Sequence, residues 1–304
     1  MARVRAQAKI NLFLHVGPPS PDARGFHELR TAFHRIDLAD EIEVRVGNGS
    51  ERSLRCTGPM TPPGGLGPRE TNLAFRAAEA YSARAGWPRG FSIELTKHIP
   101  VGGGLGGGSA DAGAVLRTLQ RLAPQPLSAD ALHELAASLG SDVAFLASED
   151  ILDLATGRGE RLQPVPPAQV PPSAELLLVI PDFAVSTADA YRWLDDARAR
   201  TGERADFARS GLVEMLAPQW LIYAHGQFAG NDFESAVEAR HPRLREYRER
   251  LAAAGALVAR MSGSGSTVFG LFEGTAPRGT DLGIDAVVIA TRTSSRVVQV
   301  EVQE

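Results

Sequence analysis

Thr96-Lys97-His98-Ile99-Pro100-Val101-Gly102-Gly103-Gly104-Leu105-Gly106-Gly107-Gly108-Ser109-Ala110-Asp111 decides how this chain is read. Upstream, Phe91-Ser92-Ile93-Glu94-Leu95 alternates apolar and polar residues, the pattern of a strand. Downstream, Ala112, Val115, Leu116, Leu119 and Leu122 recur at helical spacing, with Ser109 positioned as N-cap. Glycines at 102, 103, 104, 106, 107 and 108 therefore join a strand to a helix. Such a loop can turn successive backbone N–H groups toward one point, and the helix N-terminus adds partial positive charge. That combination suits phosphate oxygens. A P-loop is excluded, because no Gly-Lys-Ser/Thr follows the glycines. Gly102, Gly104 and Gly107 fit a dinucleotide fingerprint, but Leu127-Ser128 stands where the ribose-binding acid is due. A merely flexible junction is the remaining alternative.

Working outward, the 304 residues suggest two domains, with 43 % hydrophobic residues to fill their cores. The net charge of −4 gives no reason to expect a nucleic-acid partner. Cys56 is the single cysteine, so an intrachain disulfide is impossible and a cysteine metal site is not expected. No membrane-length apolar run or signal-peptide core is present, which points to a cytoplasmic protein with no membrane partner. Of 32 basic Lys and Arg residues, only Lys9 and Lys97 are lysines. Where arginine serves as the general cation, a retained lysine marks a place for a compact point charge.

Lys9 lies in a strict alternation over residues 4–16, with Val4, Ala6, Ala8, Ile10, Leu12, Leu14 and Val16 on one face. This predicts a strand with one buried face and Lys9 and Asn11 together on the other, roughly 7 Å apart along it. That face reads either as solvated or as ligand-facing. Pro18–Gly25 is a turn-rich loop delivering Phe26 and His27. Strands are expected near Leu29–Ile36 and Asp40–Val46, and loops or an irregular hairpin over 47–70. Thr71 reads as the N-cap of a helix to Ala85, with Asn72 in its first turn. Ser128 caps a helix ending at Gly140, and Asp142 reads by position alone as a further N-cap. Ile151–Leu154 and Glu160–Val165 form a hairpin. Residues 164–173, with five prolines, are the crossover between domains 1–163 and 174–304. Then come a strand at Leu176–Ile180, a helix opened by Ser186-Thr187 and carrying Tyr191, and mostly helical chain over 203–240. A helix from Pro242 with Leu244, Tyr247, Leu251 and Ala254 on one face leads to the loop Met261-Ser262-Gly263-Ser264-Gly265-Ser266. A strand at Thr267–Phe272 and one or two more over Asp285–Val300 complete the chain.

Three separated stretches, Ala8-Lys9-Ile10-Asn11-Leu12, Pro100–Ala110 and Met261–Gly265, resemble the three motifs of the GHMP kinases, the galactokinase, homoserine, mevalonate and phosphomevalonate kinase family. Ala8–Leu14, Gly25–Leu29 and Leu139–Val143 look like those of the member of the non-mevalonate isoprenoid pathway. The resemblance implies an α+β, two-domain fold: a ribosomal S5 domain 2-like N-terminal domain and a ferredoxin-like C-terminal one. It implies ATP and Mg²⁺ as cofactors and a cytidine-diphosphate-linked methylerythritol as the alcohol acceptor, handled by a monomer or weak homodimer. It matches Lys9 to the catalytic lysine and Asp142 to the catalytic acid, against the capping reading. Asn72, Lys97 and residues 100–110 match ATP-binding positions, Ser109 adding a hydroxyl toward phosphate or Mg²⁺. Phe26 and Tyr191 match an aromatic pair around cytosine, with Phe26 where Tyr is frequent. His27 matches the reader of the cytosine edge, and Asn11 and Thr187 match polar substrate contacts. Arg24 stands where an acid is frequent. The alternatives are another small-molecule kinase of the family, of homoserine or mevalonate type, or a non-catalytic protein of the same fold.

Overall fold

The computed structural model describes residues 1–19, 26–202 and 230–303; Arg24 and most of the helical stretch expected over 203–240 lie outside them. Two sheets carry the chain. The first has seven strands: β1 (Ala2–Pro19), β2 (His27–Gly47), β3 (Arg52–Thr57), β4 (Gly90–Thr96), β5 (Leu152–Thr156), β6 (Arg161–Pro164) and β11 (Glu301–Val302). Its path is β11-β1-β2-β4-β3. β2 pairs with β4 through Glu41–Gly47 and with β5 through Thr31–His34, and β6 continues the hairpin. The second sheet orders β10 (Val287–Arg292), β7 (Glu175–Ile180), β9 (Val268–Phe272) and β8 (Val258–Met261), all antiparallel.

Helices cover the sheets. α1 (Leu73–Ala85), α2 (Gly107–Leu122), α3 (Ala129–Leu139) and α4 (Ser141–Ala147) accompany the first sheet, with α2 packed on α1, α4 and β1. α5 (Thr187–Thr201), α6 (Phe233–Glu238) and α7 (Arg243–Ala253) accompany the second. The α+β class that the resemblance implies is the class adopted, and the five-proline stretch leads from β6 to β7.

Several local expectations change. β1 shows its alternation only near its start, since both faces are buried from Gln7 to Leu14. The sequence could not show that the polar face would be met too, at Gln7 by residues 294–298 and at Lys9 by Gly104 and Asp142. The two strands expected over 29–46 form one continuous strand, β2. β3, parallel to β4, is an edge strand within the Gly- and Pro-rich region 47–70 expected to form loops or an irregular hairpin. α1 is capped by Asn72, whose Oδ1 accepts from Ala74 N at 2.9 Å, while the Thr71 hydroxyl is used on Pro68 O at 2.7 Å. Ala254 is exposed past the end of α7, outside the Leu244, Tyr247, Leu251 stripe.

Two apolar cores result. One lies between the first sheet and α1–α4 and takes in Leu176, Leu178, Val258, Phe269 and Leu271 of the second sheet; the other lies among β7, β8, β9, α5, α6 and α7. β1 enters both: Ala8, Ile10 and Leu12 belong to the first, Leu14 and Val16 to the second. At Leu14 the backbone bonds to Gly230 O (2.8 Å) and receives Asp232 N (2.9 Å). Register shifts lie between Gln7 and Lys9 and between Asn11 and Phe13. Such bulges bend a strand and re-aim its side chains. Lys9 and Asn11 thus lie on the last first-core stretch of β1, just before the strand passes into the other core between Phe13 and Leu14.

Candidate active site

The Lys9 ammonium donates to Asn11 Oδ1 at 2.7 Å and Gly104 O at 3.1 Å, and lies 3.4 Å from Asp142 Oδ2. Three donors on one nitrogen thus meet three oxygens, a geometry that a planar guanidinium does not reproduce. Asn11 is itself oriented: its Nδ2 donates to Thr31 Oγ1 at 2.8 Å, and that hydroxyl donates to Phe13 O at 2.6 Å. The Lys9 side chain is 4 % exposed and that of Asp142 33 %, so the carboxylate is the member of the pair an incoming hydroxyl can reach. Asp142 is the second residue of α4, and Gly140 rather than an acid holds the cap position.

The far end of α4 is held by a residue that sequence reasoning passed over. Arg35 on β2 is 1 % exposed; its Nε donates to Asp150 O (2.7 Å) and its Nη2 to Phe145 O (2.9 Å) and Ser148 O (2.8 Å). Its guanidinium also lies over the Phe145 ring at 4.9 Å. Burial, with Arg117 nearby, lowers its pKa to about 9, which still leaves it charged at neutral pH. The available sign was a cation between apolar Phe33 and Ile36 in a strand.

The glycine loop is fixed by its carbonyls. Leu105 O accepts from Lys9 N (3.0 Å), Gly103 O from Thr267 N (3.1 Å), and Gly104 O from Ser262 Oγ (3.0 Å). The 261–266 loop of the second sheet therefore seats directly on it. Gly104 has φ +77°, and a Cβ there would stand 3.0 Å from Gly265 O and still closer to Ser262 O. Only glycine fits. α2 starts at Gly107 after a left-handed Gly106, so Ser109 is the third helical residue and not the cap expected of it. The amides of Gly107, Gly108 and Ser109 belong to the first turn, where the helix supplies no carbonyl for them. Ser109 is half-buried and its hydroxyl bonds to none of the described residues. Pro100, Leu105 and Ala110 are buried anchors, whereas Val101, Gly102 and Gly108 are exposed.

The other lysine is placed otherwise than its expected role at ATP suggests. Lys97 Nζ, almost fully buried, bonds to Asp40 and lies 2.7 Å from Asp111 Oδ2. Asp40 Oδ1 also accepts His98 N (2.5 Å) and Ile99 N (2.8 Å). The head group is spent beneath the loop, bracing its entry. Burial raises the Asp111 pKa to about 8; Lys97 opposes that rise and Asp40 adds to it. Asn72 starts α1, whose Leu73 side chain packs beside Gly108, and its Nδ2 faces Cys56 Sγ at 3.9 Å.

Next to Lys9 and Asp142 is a hollow of about 160 Å³, also walled by Asn11, Gly104 and Gly106. It adjoins a larger cavity of about 740 Å³ containing Phe26, His27, Thr187 and Tyr191. Leu29, Arg158, Thr187 and Tyr191 line both. Tyr191 stacks on His27 (4.8 Å between centroids) and meets Phe233 edge-on. Burial, then Asp142 and Asp195, pushes its phenol up to about 12, so it stays neutral. His27 Nε2 lies 2.9 Å from Asp195 Oδ1, and Thr187 Oγ1 lies 2.9 Å from Ser264 Oγ. The expected Phe26–Tyr191 bracket is not formed as a ring pair. His27 occupies a face of Tyr191, and Phe26, 50 % exposed, has the Arg158 guanidinium 4.9 Å over its ring.

Among the described residues, no three His, Cys, Asp or Glu side chains are grouped to hold a metal ion. No described helix is long and apolar enough to cross a membrane.

Comparison with known proteins gives the following. Residues 72–155 match the GHMP kinases N terminal domain and residues 220–280 the GHMP kinases C terminal domain. A 4-diphosphocytidyl-2-C-methyl-D-erythritol kinase of Anaeromyxobacter dehalogenans is 46 % identical over 283 residues, 92 % of this chain and 83 % of that one. The crystal structure of a 4-(cytidine 5'-diphospho)-2C-methyl-D-erythritol kinase superposes with TM-score 0.74 at 34 % identity, covering 96 % of this chain and 99 % of the other. A homoserine kinase structure from Cytophaga hutchinsonii superposes with TM-score 0.65 at 19 % identity over 96 % and 97 % of the two chains, a likeness of fold.

Proposed function

This chain belongs to the GHMP kinases, among their 4-diphosphocytidyl-2-C-methyl-D-erythritol kinases, and on that premise we propose how its own residues carry the reaction. It is a small-molecule kinase that takes the γ-phosphoryl group from ATP to the 2-hydroxyl of 4-diphosphocytidyl-2-C-methyl-D-erythritol, a step of isoprenoid precursor synthesis by the non-mevalonate route.

Asp142 takes the proton as the substrate O–H bond breaks, the new O–P bond forms, and the bond to the β-phosphate oxygen breaks to leave ADP. Lys9, held by Asn11 and Gly104 O, stabilises the negative charge that develops on the attacking oxygen and the transferring group. The observation that carries this reading is the 3.4 Å approach of Lys9 Nζ to Asp142 Oδ2 at the hollow beside the glycine loop. The first-turn amides of α2 bind phosphate oxygens, and Asn72 lies at the same end of the loop. Lys97 supports the loop from beneath. Asn11 and Thr187 orient the polyol, and Phe26, His27 and Tyr191 hold the nucleoside in the larger cavity.

The residues fit a Mg²⁺ ion that comes with the nucleotide: Ser109 would offer it a hydroxyl, Asp142 is kept for the proton, and among the described residues there is no all-protein cage. When bound, the ion neutralises charge on the phosphates. We place the reaction in the cytoplasm, consistent with a single cysteine and no apolar run of membrane-spanning length.

The test is ADP release from Mg·ATP with the cytidine-linked acceptor, comparing wild type with Asp142→Asn. The expected loss in kcat is about 10²- to 10⁴-fold, the scale of general-base catalysis. A folded, ATP-binding wild type with no acceptor-dependent ADP release would overturn the substrate assignment. Competition by CDP or cytidine separates this acceptor from homoserine or mevalonate.

A further inference from the structure

We infer that Arg158 is a specificity-determining residue that binds the diphosphate linking nucleoside to polyol; this rests on the substrate reading above. The argument begins with its backbone. Arg158 sits on the turn between β5 and β6, flanked by Gly157 and Gly159 at φ +72° and +100°. The turn is fastened to its surroundings. Leu29 N donates to Gly157 O at 2.6 Å, and Gly159 lies against the Ser141 side chain at the start of α4. Asp142 is the next residue. The turn is thus registered on the element that presents the carboxylate.

Arg158 lines both the 740 Å³ cavity and the 160 Å³ hollow, so it stands at their junction with Leu29, Thr187 and Tyr191. A substrate with its base in the first and its reacting hydroxyl in the second must pass its diphosphate through that junction. Charge at the junction favours the same reading. Arg192, the other arginine of the larger cavity, lies 2.7 Å from Asp189. Lys9, the cation of the hollow, is taken by Asn11, Gly104 O and Asp142. Glu160, the acid nearest to Arg158 in sequence, accepts from the Arg158 backbone N at 2.6 Å. Among the described residues no carboxylate pairs with the Arg158 guanidinium, which lies over the Phe26 ring. The acids in the walls, Asp195 and Asp196 with Asp142, would repel a diphosphate left without a cation. A guanidinium matches two phosphate oxygens at once, which an ammonium does not. Resting on Phe26, it also spans nucleobase and linker with one side chain.

The test compares wild type with Arg158→Gln and Arg158→Ala. It measures KM for the cytidine-linked acceptor, KM for ATP, and inhibition constants for CDP and for cytidine. The expected result is a 10- to 100-fold rise in acceptor KM with ATP KM unchanged. The advantage of CDP over cytidine as an inhibitor should collapse in both variants, while the cytidine constant moves little in Arg158→Gln. Variants that keep the full CDP-over-cytidine advantage would overturn the inference and leave the substrate reading intact. So would a rise confined to ATP KM, which would assign Arg158 to the donor phosphates. A wild type that binds neither CDP nor cytidine would instead sink the substrate reading itself.

Discussion

Two glycines of the same loop should respond to alanine in opposite ways. At Gly104 the added methyl meets the Ser262 and Gly265 carbonyl oxygens, and the residue must hold φ +77°. A left-handed L-residue costs about 1–2 kcal/mol, and forcing apart a packed contact adds about 1–3 kcal/mol. Gly104→Ala should therefore lose about 2–5 kcal/mol, a large share of a domain's usual stability of about 5–15 kcal/mol. At Gly108 a Cβ would find only Leu73 Cδ1, at an ordinary 3.7 Å. Alanine there gains about 0.5–1 kcal/mol of helix stability. Yet a helical Cβ tilts toward the N-terminus, which here is the concave side where phosphate would approach the amides. Gly108→Ala should therefore be as stable as wild type, or more so, and worse at ATP, with kcat/KM for ATP down about 10- to 100-fold. Urea unfolding and steady-state kinetics on both variants decide the matter. A Gly108→Ala protein with wild-type ATP kinetics would refute the phosphate reading of the loop. A Gly104→Ala protein of wild-type stability would refute the packing argument.

Arg35→Leu should cost about 2–4 kcal/mol in urea unfolding, because buried carbonyls at the end of α4 lose their donors. In the surviving protein kcat should fall with little change in ATP KM, since Asp142 rides on the same short helix; unchanged kcat would make Arg35 purely structural. Asp111, with its pKa raised to about 8, is protonated in the folded state at pH values where the unfolded chain has released the proton. The folded state then binds more protons, so this group lowers stability as pH rises from about 4 through about 8. Asp111→Asn should remove that part of the slope. Parallel stability–pH curves for the two proteins would show that Asp111 ionises normally.

The legibility of this molecule in its sequence varies with how local the cause is. Strand-to-helix succession around the glycine loop depends on periodicity and on glycine itself, and both survive without tertiary context. Lys9 and Asn11 share a face because they are two residues apart, so their common face was readable, though their contact at 2.7 Å and the burial of that face were not. Helix starts were misread by a few residues, at Asn72 and Gly106, where neighbouring hydroxyls gave equally good candidates. The rarity of lysine singled out Lys9 and Lys97 alike. What separates them is the pair Asp40 and Asp111, 57 and 14 positions from Lys97, whose convergence only the fold brings about. Arg35 was hidden for the same reason: one arginine among many, until three carbonyls close around it.

β1 runs through both cores, and that makes it a beam fixed at each end. Neither sheet with its helices can be lifted away without pulling out residues that the other core has buried. The two halves should therefore lose structure together, giving one calorimetric transition where two separate domains would give two. The same continuity bears on inheritance of the site. Lys9 and Asn11 are carried by the beam just before it crosses, so neither half expressed alone would possess a finished catalytic centre.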